Sequence, residues 1–287
     1  MTGTDLSTGA RLLFTQGDFD LLCSDLSKVR LSRAAATSSA VPVVLSPVTF
    51  NNYGGTCEFE YPVWVKDVVD PDNRRRPAGR SLLRYRDMKE LQNSKERPFI
   101  HLVDGGVSDN LGLRAILEGL EELEASPAFR AAAGIHNIRR IALIVVNSRS
   151  APSTDWDKGE WAPGFFSQVL QASSVPIDRY TYESVELMRD MVARWQTKRE
   201  LRLAEVRLAG ATETQAEMKI PRIKAYAIDV SFDWISDPKE RAYFMNLPTS
   251  FVLSPQEVDR PRELAGQLLR QSEEFQKLVE DMGGMPQ

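Results

Sequence analysis

One aspartate stands where α/β proteins often place functional groups. Asp104 directly follows the apolar run at residues 99–103, which has the length of a β-strand, and Gly105 and Gly106 come next. Glycines there permit a tight turn and the close approach of another backbone segment. In open α/β sheets, sites collect at the carboxyl ends of strands. The spacing therefore predicts either a functional carboxylate presented by a glycine turn or an aspartate that only organises this turn.

Strand alternation separates Asp104 from the nearest histidine. Ile100, Leu102 and Asp104 are expected on one face of the strand and His101 on the other, so His101 should not be the partner of Asp104. The second histidine, His136, lies in a predicted loop. A Ser–His–Asp triad is therefore not favoured.

The surrounding sequence alternates apolar runs with amphipathic helical patterns. Such alternation indicates an α/β fold with a mostly parallel sheet flanked by helices. A capping box at Ser254–Glu257 opens the last helix, which Pro261 should kink or split. Asn110 is the predicted cap of the helix that follows the glycine turn. Strands are predicted at 11–14, 43–45, 99–103, 141–146 and 223–232, and helices at 31–40, 111–125, 178–209 and 255–283.

Composition excludes several classes of protein. Lys and Arg number 36 against 40 Asp and Glu, for a net charge of −4, which argues against a dedicated nucleic-acid binder. No apolar run approaches the ~18 residues that a membrane span needs. Cys23 and Cys57 are far apart in sequence and are expected to be two unpaired thiols. No His, Cys or carboxylate cluster has metal-ligand spacing, so no metal or organic cofactor is expected.

Two further stretches have both a functional and a structural interpretation. Residues 72–97 carry nine basic and four acidic side chains, which could contact anionic lipid headgroups or form a solvated charged loop. The preceding aromatics could line an acyl-chain pocket or cover the core; they are Tyr53, Phe59, Tyr61 and Trp64.

Three segments together resemble the patatin-like phospholipase family. Val103-Asp104-Gly105-Gly106-Val107 looks like the Asp-Gly-Gly/Ala motif of these enzymes. Residues 31–42 are similar to the Ala/Ser-rich helix ending in Pro that precedes this motif in the family, and residues 246–251 with the Ser254 helix resemble a C-terminal segment of bacterial members. The resemblance covers residues 1–120 well and the remainder more loosely.

The resemblance implies a serine–aspartate dyad that hydrolyses lipid esters, as phospholipases and lipases do in lipid metabolism. Asp104 matches the family's general base, and Gly105 and Gly106 match the turn that presents it. The family's nucleophile is the Ser of a Gly-x-Ser-x-Gly turn, and a Gly-rich loop forms its oxyanion hole. The implied substrate is a lipid or phospholipid, which can lie at a membrane surface; acyl transfer to an acceptor other than water shares the same acyl-enzyme step.

The sequence departs from this pattern at the nucleophile. No Gly-x-Ser-x-Gly occurs in the 287 residues, and the nearest approach is Asp5-Leu6-Ser7-Thr8-Gly9. No strand is predicted before Ser7, whereas a nucleophile elbow follows a strand. Ser108 lies on the same turn as Asp104. We therefore assign no nucleophile in this chain, and the Gly-rich oxyanion loop is missing as well.

These departures predict half of a catalytic domain. Residues 1–120 are expected to form the C-terminal half of a patatin-like domain without its N-terminal strands, and residues 121–287 an α/β extension packed on it. Such a chain should be inactive and poorly stable alone unless a partner chain supplies the missing half. The alternative is a non-catalytic binding or complementing module that has lost the nucleophile. The expected location is the bacterial cytoplasm or the membrane periphery.

Overall fold

The computed structural model describes residues 1–70, 72, 79–134, 138–149, 156–212, 214–215, 223–248, 250 and 252–284. The chain divides into two compact units. The first comprises Met1–His136 and Phe165–Thr181, and the second comprises Asn137–Gly164 and Tyr182–Gln287. Among the helices in these described ranges, none has the length and apolarity that crossing a bilayer requires.

The first unit is built on a four-stranded antiparallel sheet. Its strands are β1 (Thr2–Asp5), β2 (Arg11–Leu13), β3 (Val48–Asn51) and β4 (Phe99–Asp104). Their order is β2-β1-β4-β3, and every neighbouring pair runs antiparallel. The prediction of a mostly parallel sheet is therefore wrong. Apolar periodicity predicts that a strand is buried, but it does not determine the direction of its neighbours.

A hairpin at the start of the chain explains much of this difference. The Asp5 carboxylate accepts the backbone N–H of Ser7 (3.1 Å) and the hydroxyl of Thr8 (2.8 Å), which fixes the turn between β1 and β2. Gly9 completes the turn with a φ of +74°, in the left-handed region that glycine adopts without penalty. The expectation that no strand precedes Ser7 is wrong, because β1 ends two residues before it.

Helices cover the sheet of the first unit and complete its core. They are α1 (Gln16–Leu21), α2 (Leu31–Ser38), α3 (Val63–Val69), α4 (Gly79–Leu91), α5 (Gly106–Asp109), α6 (Leu113–Ala125), α7 (Pro127–Ala132) and the first part of α8 (Phe165–Leu208), with a 3₁₀ turn at Leu26–Lys28. Residues 43–45, predicted as a strand, form a turn instead, in which Val43 has a φ of +73°. The buried core consists of Leu12, Leu21, Leu22, Trp64, Val65, Met88, Leu91, Ile100 and Leu102.

The second unit contains the parallel pairing among the described residues. Strands β5 (Arg140–Asn147) and β6 (Lys224–Ser231) lie side by side, with Ile144 paired to Ile228. Ile228 is fully buried, whereas Ile144 is 47 % exposed. The other elements of this unit are the remainder of α8, α9 (Pro238–Met245), α10 (Pro255–Gln271) and α11 (Glu273–Asp281), with 3₁₀ turns at Trp156–Lys158 and Phe232–Trp234.

The capping box predicted for the C-terminal helix is confirmed. The Ser254 hydroxyl accepts the N–H of Glu257, and the Glu257 carboxylate accepts the N–H of Ser254 at 2.7 Å. Helix α10 continues through Pro261, and the break falls at Ser272, which caps α11. Pro261 is the seventh residue of this helix and leaves the Glu257 carbonyl oxygen without its usual intrahelical donor, yet the helix continues past it.

Candidate functional site

Asp104 ends β4 with one carboxylate oxygen held and the other free. Its Oδ1 accepts the backbone N–H of Gly106 at 2.7 Å, while Oδ2 accepts a hydrogen bond from none of the described residues. Partial burial raises the pKa of this carboxyl group, and the Gly106 N–H opposes that shift. A carboxylate with a raised pKa binds a proton more tightly than a solvated one. The free oxygen can therefore act as a base toward a hydroxyl within hydrogen-bonding distance of it.

The two glycines are packed closely against their surroundings. A Cβ added to Gly105 would lie 2.0 Å from Thr2 Oγ1 and 2.7 Å from the Thr2 carbonyl oxygen. A Cβ on Gly106 would lie 2.9 Å from Asn110 Oδ1 and 3.0 Å from Asp104 Oδ1. The turn therefore needs glycine for space, since β1 passes directly beside Gly105.

A hydroxyl pair from β1 fixes the backbone of the turn. Thr4 Oγ1 donates to the Asp104 carbonyl oxygen at 2.8 Å, and it lies 2.8 Å from Ser108 Oγ. Either hydroxyl can be the donor in this pair, because Ser108 Oγ also lies 3.4 Å from the Gly105 carbonyl oxygen. The Ser108 hydroxyl is thus engaged with β1. The role of Thr4 was not predicted from the sequence. The alternation of Thr2 and Thr4 would indicate it only if β1 were recognised as a strand.

The Ala/Ser-rich segment lies against the same end of β4. The Asp104 N–H donates to the Ala40 carbonyl oxygen at 2.9 Å, two residues after α2 ends. Within α2, Thr37 is fully buried, and its methyl group would be 2.9 Å from a Cβ on Gly3. Two of the three segments that carry the family resemblance therefore meet at Asp104. Of the third, residues 246–251, Thr249 and Phe251 lie outside the described residues.

A buried ion pair holds the helix that follows the turn. The Asp109 carboxylate accepts the N–H groups of Arg114 (3.1 Å) and Ala115 (3.0 Å) at the start of α6, and lies 3.5 Å from Arg11 Nη1. Arg11 also pairs with Glu118 at 2.6 Å. The prediction that Asn110 caps this helix is therefore wrong. The carboxylate one residue earlier occupies the amides, and it is held there by a buried arginine.

Asn110 bonds elsewhere. Its Nδ2 donates to Thr181 Oγ1 at 3.2 Å, and Thr181 in turn donates to the Ile177 carbonyl oxygen at 2.8 Å. This contact joins the glycine turn to the part of α8 that belongs to the first unit. The turn is therefore supported from β1, from α2 and from α8.

The other residues considered for catalysis do not face the Asp104 carboxylate. Gly3 pairs with Asp104 and Asp5 with Leu102, so β1 carries the chain toward Ser7 at the opposite end of β4. His101 is exposed, with Nδ1 3.0 Å from Thr49 Oγ1. His136 lies outside the described residues. None of the described serines or histidines singled out from the sequence is therefore placed to act with Asp104.

Part of the basic stretch is engaged in ion pairs within the first unit. Arg84 pairs with Asp18 at 2.8 Å, and Arg80 and Arg97 pair with Glu121 and Asp5. Arg74, Arg75 and Arg76 lie outside the described residues. Three of the nine basic groups thus serve internal ion pairs and are less accessible to a lipid headgroup.

The aromatic residues of the long loop divide between core and surface. Trp64 is buried in the core of the first unit, and Phe59 packs against this core. Tyr53 and Tyr61 are 50 % and 37 % exposed. In the described ranges, no group of three or more His, Cys, Asp or Glu side chains is arranged to hold a metal ion.

The two cysteines form a disulfide. Cys23 and Cys57 are bonded, with their Cα atoms 5.6 Å apart, so the expectation of two unpaired thiols is wrong. Their separation of 34 residues says nothing about distance in space, and the fold brings the end of α1 beside the loop that follows β3.

Comparison of the chain with protein-family models, with curated proteins and with solved structures finds no significant match. A function can therefore be proposed from the geometry at Asp104 and from the sequence segments around it.

Proposed function

We propose that this chain is the C-terminal portion of a patatin-like lipid acyl hydrolase, in which Asp104 is the general base of a serine–aspartate dyad. The observation that carries the proposal is the Asp104 carboxylate. It is half-buried, it ends a strand, and one oxygen is fixed by Gly106 while the other is unoccupied by any described donor.

The geometry defines a role for each part of the turn. The Gly106 N–H fixes the rotamer of Asp104 through Oδ1, so that Oδ2 can take the proton of an attacking serine hydroxyl and pass it to the alcohol that leaves as the acyl-enzyme forms. In the second half-reaction, Oδ2 takes a proton from the acceptor and returns it to the serine. Gly105 allows β1 to pass beside the turn, and Thr4 holds the carbonyl of Asp104. No histidine is needed to carry the proton in this scheme.

The proposed nucleophile must come from outside the 287 residues, since they contain no Gly-x-Ser-x-Gly. The described hydroxyl nearest to Asp104 in sequence, Ser108, is occupied by Thr4. This favours a dyad that is completed by a further segment or by a partner chain. The substrate class is a lipid ester, with hydrolysis or acyl transfer as the second half-reaction.

The first experiment determines the intact mass of the protein isolated from its own organism. A mass well above the 32.3 kDa of this chain, with a Gly-x-Ser-x-Gly in the additional sequence, supports the proposal. A mass of 32.3 kDa with no co-purifying chain that carries such a serine contradicts it, and then favours the non-catalytic binding module.

The second experiment tests Asp104 in the longest natural form of the protein. Asp104→Asn should lower hydrolysis of a p-nitrophenyl acyl ester by about 10²–10⁴-fold, the usual contribution of a general base, without changing the circular dichroism spectrum. Glu96→Gln is the matched control, because Glu96 is an exposed carboxylate of the same unit. Turnover by Asp104→Asn equal to that of the Glu96→Gln control would refute the assignment.

A further inference from the structure

The loop after β3 is fixed at both ends. At its start, the backbone N–H of Asn52 donates to the Pro98 carbonyl oxygen and its side-chain amide to that of Arg97, both at 2.9 Å. A Cβ on Gly54 would lie 2.1 Å from the Leu91 carbonyl oxygen, so this stretch is packed against the end of α4. At the other end, Trp64 and Val65 of α3 are buried in the core.

Between these ends, residues 57–61, which we term the flap, are held by one covalent bond and by the packing of aromatic side chains. Cys57 is bonded to Cys23, and its N–H donates to Cys23 Sγ at 3.2 Å. Among the described residues, 58–61 form no hydrogen bond or ion pair with the chain outside the flap. Their other contacts are made by aromatic side chains. Phe59 packs against the core of the first unit, its ring centroid is 5.4 Å from that of Tyr61, and the Tyr61 and Tyr85 centroids are 5.7 Å apart.

Cys23 adopts a backbone conformation that its residue type disfavours. It follows the C-cap of α1 with a φ of +50°, the left-handed position that glycine usually occupies after a helix. A residue with a Cβ is held there only when its surroundings impose it. The disulfide supplies such a restraint, and Cys57 on the other side of the bond is exposed.

We propose that the Cys23–Cys57 disulfide is a redox-operated latch, which a dithiol opens to release the flap while the rest of the first unit stays folded. A thiolate of the dithiol attacks the sulfur of Cys57, which is the exposed residue of the pair, the Cys57–Cys23 bond breaks, and Cys23 leaves as a thiolate that takes up a proton. The second thiolate of the dithiol then displaces Cys57, which is protonated in turn. Two electrons pass to the protein, and the dithiol becomes a cyclic disulfide. This inference does not depend on the proposed function.

Limited proteolysis with chymotrypsin tests the latch, with dithiothreitol as the reductant. Phe59 provides a cleavage site inside the flap, whereas Pro62 blocks the bond after Tyr61. We expect cleavage after Phe59 to be at least tenfold faster in the reduced protein than in the oxidised protein, and to slow again on reoxidation. The far-UV circular dichroism and the hydrogen exchange of the β4 amides should not change on reduction.

Two variants distinguish a disulfide that releases the flap from one that only stabilises the first unit. Cys57→Ser should be cleaved at the fast rate with and without dithiothreitol. Cys23→Gly should behave in the same way. Because glycine adopts the left-handed conformation of residue 23 without strain, this variant tests the proposal even if Cys57→Ser fails to fold. Equal cleavage of reduced and oxidised protein would overturn the proposal, as would two titratable thiols in protein purified without reductant. Loss of the β4 protection on reduction would also overturn it, because the disulfide would then support the whole unit.

Discussion

Replacing Gly105 by alanine tests how tightly β1 and the glycine turn are packed. The new Cβ would lie 2.7 Å from the Thr2 carbonyl oxygen and 2.9 Å from the Thr2 carbonyl carbon, so rotating the Thr2 side chain cannot remove the clash. Either β1 or the turn must shift. Overpacking of this kind lowers the free energy of unfolding by about 1–3 kcal/mol, and the reduced flexibility of the unfolded chain returns about 0.4–1 kcal/mol. We expect a net loss of about 1–2 kcal/mol, which raises the unfolded population roughly 5- to 30-fold.

Gly119→Ala is the matched control within the same unit. Gly119 lies inside α6, and an added Cβ there would meet no atom within 4 Å. Alanine should therefore stabilise the helix by about 0.5–1 kcal/mol. Hydrogen exchange measured by mass spectrometry on peptides from β1 and β4 gives the opening free energy of this unit for both variants. Protection in Gly105→Ala equal to or above that of the unsubstituted chain would refute the close approach of β1.

Two further predictions concern charged groups of the first unit. Burial, together with Glu118 and Glu121, raises the pKa of Glu122 to about 7 against the opposing effect of Arg84 and Arg11. The folded state therefore binds the extra proton between about pH 4.5 and 7, and stability should fall through this window as pH rises. Urea titrations at several pH values should show this fall, on the order of 3 kcal/mol, and Glu122→Gln should abolish it; an unchanged pH dependence in the variant contradicts the assignment. Asp109→Ala leaves Arg11 with one partner and two α6 amides without an acceptor, so we expect a loss of about 3 kcal/mol in urea denaturation; a loss below about 1 kcal/mol would show that the pair is not buried in solution.

The elements with long, regular apolar patterns were predictable. Strand β4, strands β5 and β6, helix α6 and the capping box of α10 all fall where periodicity and cap chemistry place them. Strand β2 was predicted, but its hairpin with β1 was not, because β1 is only four residues long and contains more polar than apolar residues. Without β1, nothing in the sequence indicates that β4 has antiparallel neighbours. The antiparallel direction of the main sheet was missed together with β1 and with β3, which also pairs antiparallel with β4 and was not predicted.

At the candidate site, the sequence located the carboxylate but not its support. Asp104 was predictable because it joins a buried strand to a pair of glycines. The contacts that hold it come from residues about 60 to 100 positions away in the chain, Thr4 and Ala40, and a single sequence contains no signal for such pairings. The Cys23–Cys57 bond was missed for the same reason.

The outer edge of β5 affects how this protein behaves at high concentration. Ile144 and Val146 lie two residues apart on β5, and they are 47 % and 63 % exposed. Among the described residues, β5 is paired on one side only, with β6. Self-association through such an edge depends on encounters between two molecules, so its rate should rise with the square of protein concentration. Because apolar association weakens on cooling, dilute and cold conditions should keep the chain monodisperse for longest. The apolar residues that mark β5 in the sequence are therefore also expected to favour self-association of the chain at high concentration.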